Sequence, residues 1–146
     1  MRRLFIIRKD LNLSHGKMSA MCSHCAEAYW TNLMRKANIN ENIVDGKKFY
    51  TFSFDVEANI VDNYINDRFV KTICEAKNLN DLLKVIPRAK ELGLVEGIDF
   101  GLINDACLTE LTPENEDGTC TVGIWFKPLN DDISHILSKK YQLFKG

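Results

Sequence analysis

Met18, Met21, Cys22, Cys25, Tyr29 and Leu33 recur at steps of 3, 1, 3, 4 and 4 residues. That spacing lays apolar side chains along one stripe of an α-helix, and a one-striped helix must find a surface to cover. Ser14 precedes the pattern and suits a helix N-cap, so the reading is a helix from there to about Lys36, after a loop over residues 9–16. Just upstream, residues 3–8 read RLFIIR. This short apolar run of β-formers, bounded by charge, reads as a buried strand. A strand followed by a long amphipathic helix is the first half of an α/β unit, and the remaining chain continues the alternation. Residues 69–76 (FVKTICEA), 98–104 (IDFGLIN) and 119–127 (TCTVGIWFK) read as strands, with YQLF at 141–144 as a tail strand. Residues 58–67 and 131–138 read as short helices. Asn80 can cap a helix to Leu92 that Gly93 ends, and Pro87 should kink or split it. Residues 112–118 (TPENEDG) are a polar turn. Residues 37–57 stand apart as an insertion, with NINEN and Asp45-Gly46 turn-like and FYTFSF at 49–54 a strand or hairpin arm. The expected fold is an α/β layer arrangement with at least partly parallel strand pairing, in one domain over 1–146.

The five cysteines are an odd number, as expected of reduced, mostly buried thiols. Cys22 and Cys25 form a C-x-x-C around His24, but inside a helical pattern and without a second ligand pair, so no metal site is expected. No apolar run approaches the roughly 18–20 residues that span a bilayer. The opening MRRLFIIRKD lacks the long apolar stretch of an export signal. The expectation is an unexported, cytoplasmic protein without a membrane partner. Net charge is −1, yet residues 1–48 carry +5 and residues 49–146 carry −6. Such an asymmetry allows a basic face for a polyanion without requiring one.

Chemistry can gather in two places. Lys17 follows Gly16 in the first turn of the long helix, where a cation opposes the helix dipole at roughly 0.3–1 kcal/mol. Free N–H groups there attract anions, and a glycine lets a ligand approach the backbone. Lys17 either completes an anion site or extends into solvent. His24 lies seven residues on and shares the face, about 10 Å further along the axis; a lone helical histidine is more often a packing residue than a catalyst. The second place is Asn104-Asp105-Ala106-Cys107-Leu108-Thr109, closing one strand, with Gly118-Thr119-Cys120-Thr121-Val122 opening the next. Strand ends of an α/β sheet are where ligands bind, although Asp105 and Thr109 could equally close a turn.

Taken together, Arg8-Lys9-Asp10-Leu11, Ser14, Gly16-Lys17, Ala20 and Ser23-His24 resemble the opening signature of the type-2 peptidyl-tRNA hydrolases, R-x-D-L…G-K-x-x-A-Q-x-x-H-A. Asp105-Ala106-x-x-Thr109 and Gly118-Thr119-x-Thr121-Val122 resemble that family's D-A-G-x-T and G-T-x-T-V segments. The matched blocks run from about residue 4 to residue 128. The resemblance implies a small mixed sheet with helices on both faces, hydrolysis of the ester joining a peptide to the 3′ end of tRNA, tRNA as partner, and no cofactor. Carried over by position, the catalytic residues are Lys17, Asp105, Thr109 and Thr121, with Gly16, His24 and Arg8 binding substrate. Lys17 would hold a phosphate or the developing oxyanion, Asp105 would orient or deprotonate water, and the threonines would hydrogen-bond the ribose or that water. The basic first third would lie along the tRNA backbone. The sequence departs from the pattern at Met21, where the family has glutamine, at Cys107, where it has glycine, and in an acidic turn carrying Glu114, Glu116 and Asp117. These departures keep open a binding or regulatory member that has lost hydrolysis, and a different hydrolase using Cys107 as nucleophile. A homodimer is left open.

Overall fold

The computed structural model describes residues 1–145. Strand β1 (Arg3–Arg8) is followed by helix α1 (His15–Arg35), then β2 (Asn38–Val44) and β3 (Lys47–Ser53). A single turn, α2 (Ala58–Ile60), widens into a π-helical turn over Val61–Ile65 before β4 (Lys71–Ala76). Two short helices, α3 (Leu79–Leu83) and α4 (Val85–Glu91), lead to β5 (Phe100–Asp105), β6 (Cys120–Phe126), α5 (Asp131–Ser138) and β7 (Gln142–Leu143). Five strands form one sheet in the order β5-β6-β1-β4-β7. β1 and β4 pair in parallel, and the other pairs are antiparallel. The mixed sheet expected from the sequence is therefore present, with the fully buried strand β1 in the centre.

Alternation along β1 explains the two layers. Leu4 and Ile6 point to one face and pack with Leu82, Val85, Ala89 and Leu137 of α3, α4 and α5. Phe5 and Ile7 point to the other and pack with Met21, Cys25 and Tyr29 of α1. Three α1 positions from the sequence stripe are thus the buried ones. The helix starts where its cap residue predicts, because Ser14 Oγ accepts from the Lys17 N–H at 3.2 Å.

Other boundaries moved for local reasons. The helix after β4 is capped by Asn78, whose side chain accepts from the Asp81 N–H, and not by Asn80. It splits at Lys84, so Pro87 falls in the first turn of α4, where its missing donor costs nothing. The asparagine-rich NINEN segment is a strand and not a turn: β2 pairs with β3 from Asn38–Ser53 to Val44–Lys47. The turn is only Asp45-Gly46, both at positive φ (51° and 76°), the backbone that a two-residue hairpin requires. This hairpin forms its own two-stranded sheet, and every residue in both strands is exposed.

Arg3 ties the layers together. It is 0% exposed and has no carboxylate among its hydrogen-bond partners. Its guanidinium donates to Phe126 O of β6 at 2.6 Å, and to Ala26 O and Cys25 O of α1 at 3.0 and 2.9 Å. The Phe5 and Tyr29 rings lie beside it. Burial pulls its pKa down to about 10, leaving it charged at neutral pH. Lysine retains the charge but not the planar fork. We expect Arg3→Lys to destabilise the fold by about 2–3 kcal/mol through lost charge-assisted hydrogen bonds, read as a lower urea midpoint.

Candidate active site

The first turn of α1 contains no acidic residue to balance its positive end. The missing carboxylates come from the far side of the sequence. β5 ends beside that turn, placing Asp105 Oδ1 2.8 Å from Lys17 Nζ. Lys17 Nζ also donates to Thr109 Oγ1 at 3.2 Å. One further residue on, Glu110 accepts from the Ser14 N–H (2.9 Å) and Ser14 Oγ (2.6 Å). The antiparallel register of β5 with β6 then sets Asp105 opposite Cys120 and Asn104 opposite Thr121. Thus Lys17, Asp105 and Thr109, separated by up to 92 residues, meet in one cluster.

The Lys17 and Asp105 side chains are mostly enclosed, 14% and 9% exposed. Burial raises the Asp105 pKa. The Lys17 hydrogen bond, the Cys107 N–H at 2.9 Å and the charges of Lys17 and His24 outweigh it, so the carboxyl titrates below its ordinary value. Two Lys17 N–H groups are engaged, which leaves the third for an incoming oxygen.

The remaining candidates surround this pair at different distances. Thr121 does not touch it. Its hydroxyl donates to Asn104 Oδ1 at 2.7 Å and accepts from Asn115 Nδ2 at 3.2 Å, so it fixes the β5 end beside Asp105. A bulge explains its direction: β6 inserts Val122 between the Ile103–Gly123 and Asn104–Thr121 pairs, and a bulge re-aims the side chains beyond it. His24 is exposed on α1 and makes no hydrogen bond among the described residues. Gly16 faces open space, with nothing near the position a side chain would take. Arg8 is only 4% exposed. It is occupied by Asp10 (2.8 Å), Glu114 (2.6 Å) and Thr121 O (2.9 Å). Its donors therefore brace β6 and the 114–119 turn and are not open to a phosphate. Glu114, one of the acids that would repel tRNA, is neutralised by this contact, which also holds its carboxyl below the ordinary range.

Sequence reasoning missed Glu110 and Asn115, and took Asn104 only as part of the 104–109 segment. Glu110 acts through a contact with a distant segment, and only an unspecific turn composition marked Asn115. Met21 lies in the core under α1, 1% exposed, so its lack of an amide leaves no gap beside Lys17. Cys107 adopts φ 60°, a left-handed backbone at the position where the family pattern has glycine, and its N–H is what reaches Asp105. Its thiol is pushed up from the ordinary range, by burial first and then by Asp105. It stays protonated at neutral pH, unlike an activated nucleophile. A left-handed backbone costs a side-chain-bearing residue roughly 1–2 kcal/mol that glycine avoids. We expect Cys107→Gly to raise stability by about 1 kcal/mol after the flexibility cost of glycine, seen as a higher thermal midpoint with the site intact.

The family model described as peptidyl-tRNA hydrolase PTH2 matches residues 1–144 of this chain. It spans both segments that build the cluster, α1 with its Lys17 and the β5–β6 region with Asp105 and Thr109. On that match the chain belongs to the PTH2 family of peptidyl-tRNA hydrolases.

Proposed function

We propose that this chain cleaves the ester joining a peptide to the 3′ oxygen of tRNA, with Lys17, Asp105 and Thr109 as the reacting centre. The observation that carries the reading is the Lys17–Asp105 contact of 2.8 Å, made where the α1 N-terminus meets the end of β5. Water adds to the ester carbonyl carbon, and the carbonyl oxygen becomes an oxyanion. The free N–H of Lys17 faces that charge as it develops, and the helix end adds its own positive potential. The C–O bond to the ribose then breaks. The departing 3′ oxygen takes up one proton of the water, the other is lost to solvent, and the peptide leaves as a carboxylate.

Asp105 titrates below the ordinary range, which makes it a weak proton acceptor at neutral pH. Its part is to hold Lys17 and orient the water, with Thr109 as a second hydrogen-bonding group. Thr121, through Asn104, and Arg8, through Glu114, are positioning residues. Gly16 leaves the helix end open to substrate, and His24 stands exposed further along α1. tRNA is the polyanion for the basic first third of the chain. A member without hydrolysis is the weaker reading, because Met21 and Cys107 both leave the Lys17–Asp105 pair undisturbed.

Release of tRNA from a labelled peptidyl-tRNA tests this. Lys17→Ala should lower kcat/KM by about 10²–10³-fold, the usual cost of an oxyanion donor, in a protein that still unfolds cooperatively in urea, at a midpoint lowered by the loss of the enclosed pair. Wild-type cleavage should weaken as salt rises. Absence of cleavage by folded wild-type protein at every salt concentration would sink the proposal.

Acid titration checks the electrostatics. The Asp105 pKa lies below the ordinary 3.8 in the folded state. Its contribution to stability is therefore complete above the ordinary value and is lost as pH falls through the lower, folded one. Between neutral pH and about pH 2, Asp105→Asn should show a shallower fall of the urea midpoint than wild type. Parallel curves would contradict it.

A further inference from the structure

Beside the Lys17–Asp105 pair, a groove of about 640 Å³ runs between α1 and β5. His24, Thr31 and Arg35 line one wall, and Gly101, Leu102 and Asn104 the other. Its wall reaches Asn104, the residue directly before Asp105 on β5. From His24 to Arg35 the helix rises about 16 Å at 1.5 Å per residue. An extended chain of about five residues has that length at roughly 3.3 Å each.

Three features of the walls indicate what fits. First, β5 is an edge strand. Phe100 O accepts from the Gly97 N–H at 2.7 Å, so Phe100 turns its polar groups away from β6. On an antiparallel strand alternate residues turn the same way, so the N–H and C=O of Leu102 face the open edge. Second, Trp125 is 3% exposed, yet its indole N–H has no hydrogen-bond partner among the described residues and is not sealed off from solvent. It lines the groove at Gly101, where a Cβ would stand 2.8 Å from Nε1. The glycine leaves the hollow into which this buried donor opens. Third, Glu27 and Glu96 outnumber Arg35 on the walls, a charge distribution that does not attract a phosphate backbone.

We propose that this groove holds the peptide part of the substrate, laid as an extended strand along the free edge of β5, with its C-terminal ester at Lys17 and Asp105. Leu102 supplies main-chain hydrogen bonds, and the Trp125 indole donates to a peptide carbonyl. Main-chain recognition accepts any side chain, which suits an enzyme whose substrates share only their ester. The assignment rests on the hydrolase reading above for the position of the ester, and on the groove itself for the peptide.

Two measurements test it. The first compares kcat/KM for one tRNA carrying either an N-acetylated single residue or a five-residue peptide. Wild type should prefer the longer ester by about tenfold, because remote contacts raise transition-state binding. Thr31→Trp, which fills the groove from the α1 side, should bring that ratio towards one. A wild-type ratio of one overturns the proposal. So does an equal loss on both esters in Thr31→Trp, which would assign the groove to tRNA.

The second measurement needs no catalysis or variant. An acetylated five-residue peptide amide is added to the ¹⁵N-labelled wild-type protein. The indole resonance of Trp125 and the amide of Leu102 should shift saturably while the Trp30 indole stays in place. Unmoved Trp125 and Leu102 signals at millimolar peptide overturn the proposal. If the protein cleaves neither ester, the hydrolase reading fails, and this titration still decides whether the groove takes a peptide.

Discussion

A cation enclosed without a counter-ion holds the two halves of this protein in register. Arg3 sits in the central strand, and its fork reaches β6 and two carbonyls in the middle of α1 at once. Charges are excluded from interiors unless every donor is answered, and here backbone carbonyls answer them. The contact fixes how far α1 lies along the sheet. Lys17 is on that helix, and Asp105 ends a strand bonded to β6. A shift of one helical residue moves a side chain by 1.5 Å along the axis, enough to break a 2.8 Å ion pair. The precision of the surface cluster therefore begins in the core.

The cluster is built from opposed tendencies. A lysine in the first turn of a helix is unfavourable alone, and Asp105 and Glu110 arrive from the other end of the chain to balance it. Cys107 is held in a left-handed conformation so that its N–H can reach the same carboxylate. Local backbone strain and an off-pattern charge meet at one point, where strained residues characteristically collect in functional sites. The surrounding polar network, Arg8 with Asp10 and Glu114 and Thr121 with Asn104 and Asn115, prevents this loop from relaxing away.

Much of this was legible in the sequence where a single physical signal dominated. The α1 stripe, the Ser14 cap, the apolar run of β1 and the break near Pro87 all came from local spacing or local sterics. Lys17, Asp105 and Thr109 were named together only through the resemblance to a known signature; the contact between Lys17 and Asp105 was not legible, because no periodicity links positions 88 residues apart. The asparagines of β2 misled because asparagine favours turns, whereas a well-formed Asp45-Gly46 turn imposed pairing on both arms. Asn78 displaced Asn80 as a cap because only the former reaches the Asp81 N–H. Arg8 was expected to bind substrate through the resemblance, and its burial among carboxylates depends on tertiary contacts.

The β2–β3 hairpin stands outside this web of dependence. Its pairing is internal, its Lys48–Glu41 ion pair (3.0 Å) is internal, and no strand of the five-stranded sheet takes its register from it. Residues can be gained or lost in pairs on its two arms without re-threading anything behind it, since closing a longer loop costs little extra entropy. Variation in the length of such a chain has a natural outlet here, whereas the same change between β5 and β6 would pull Thr109 and Glu110 off the end of α1.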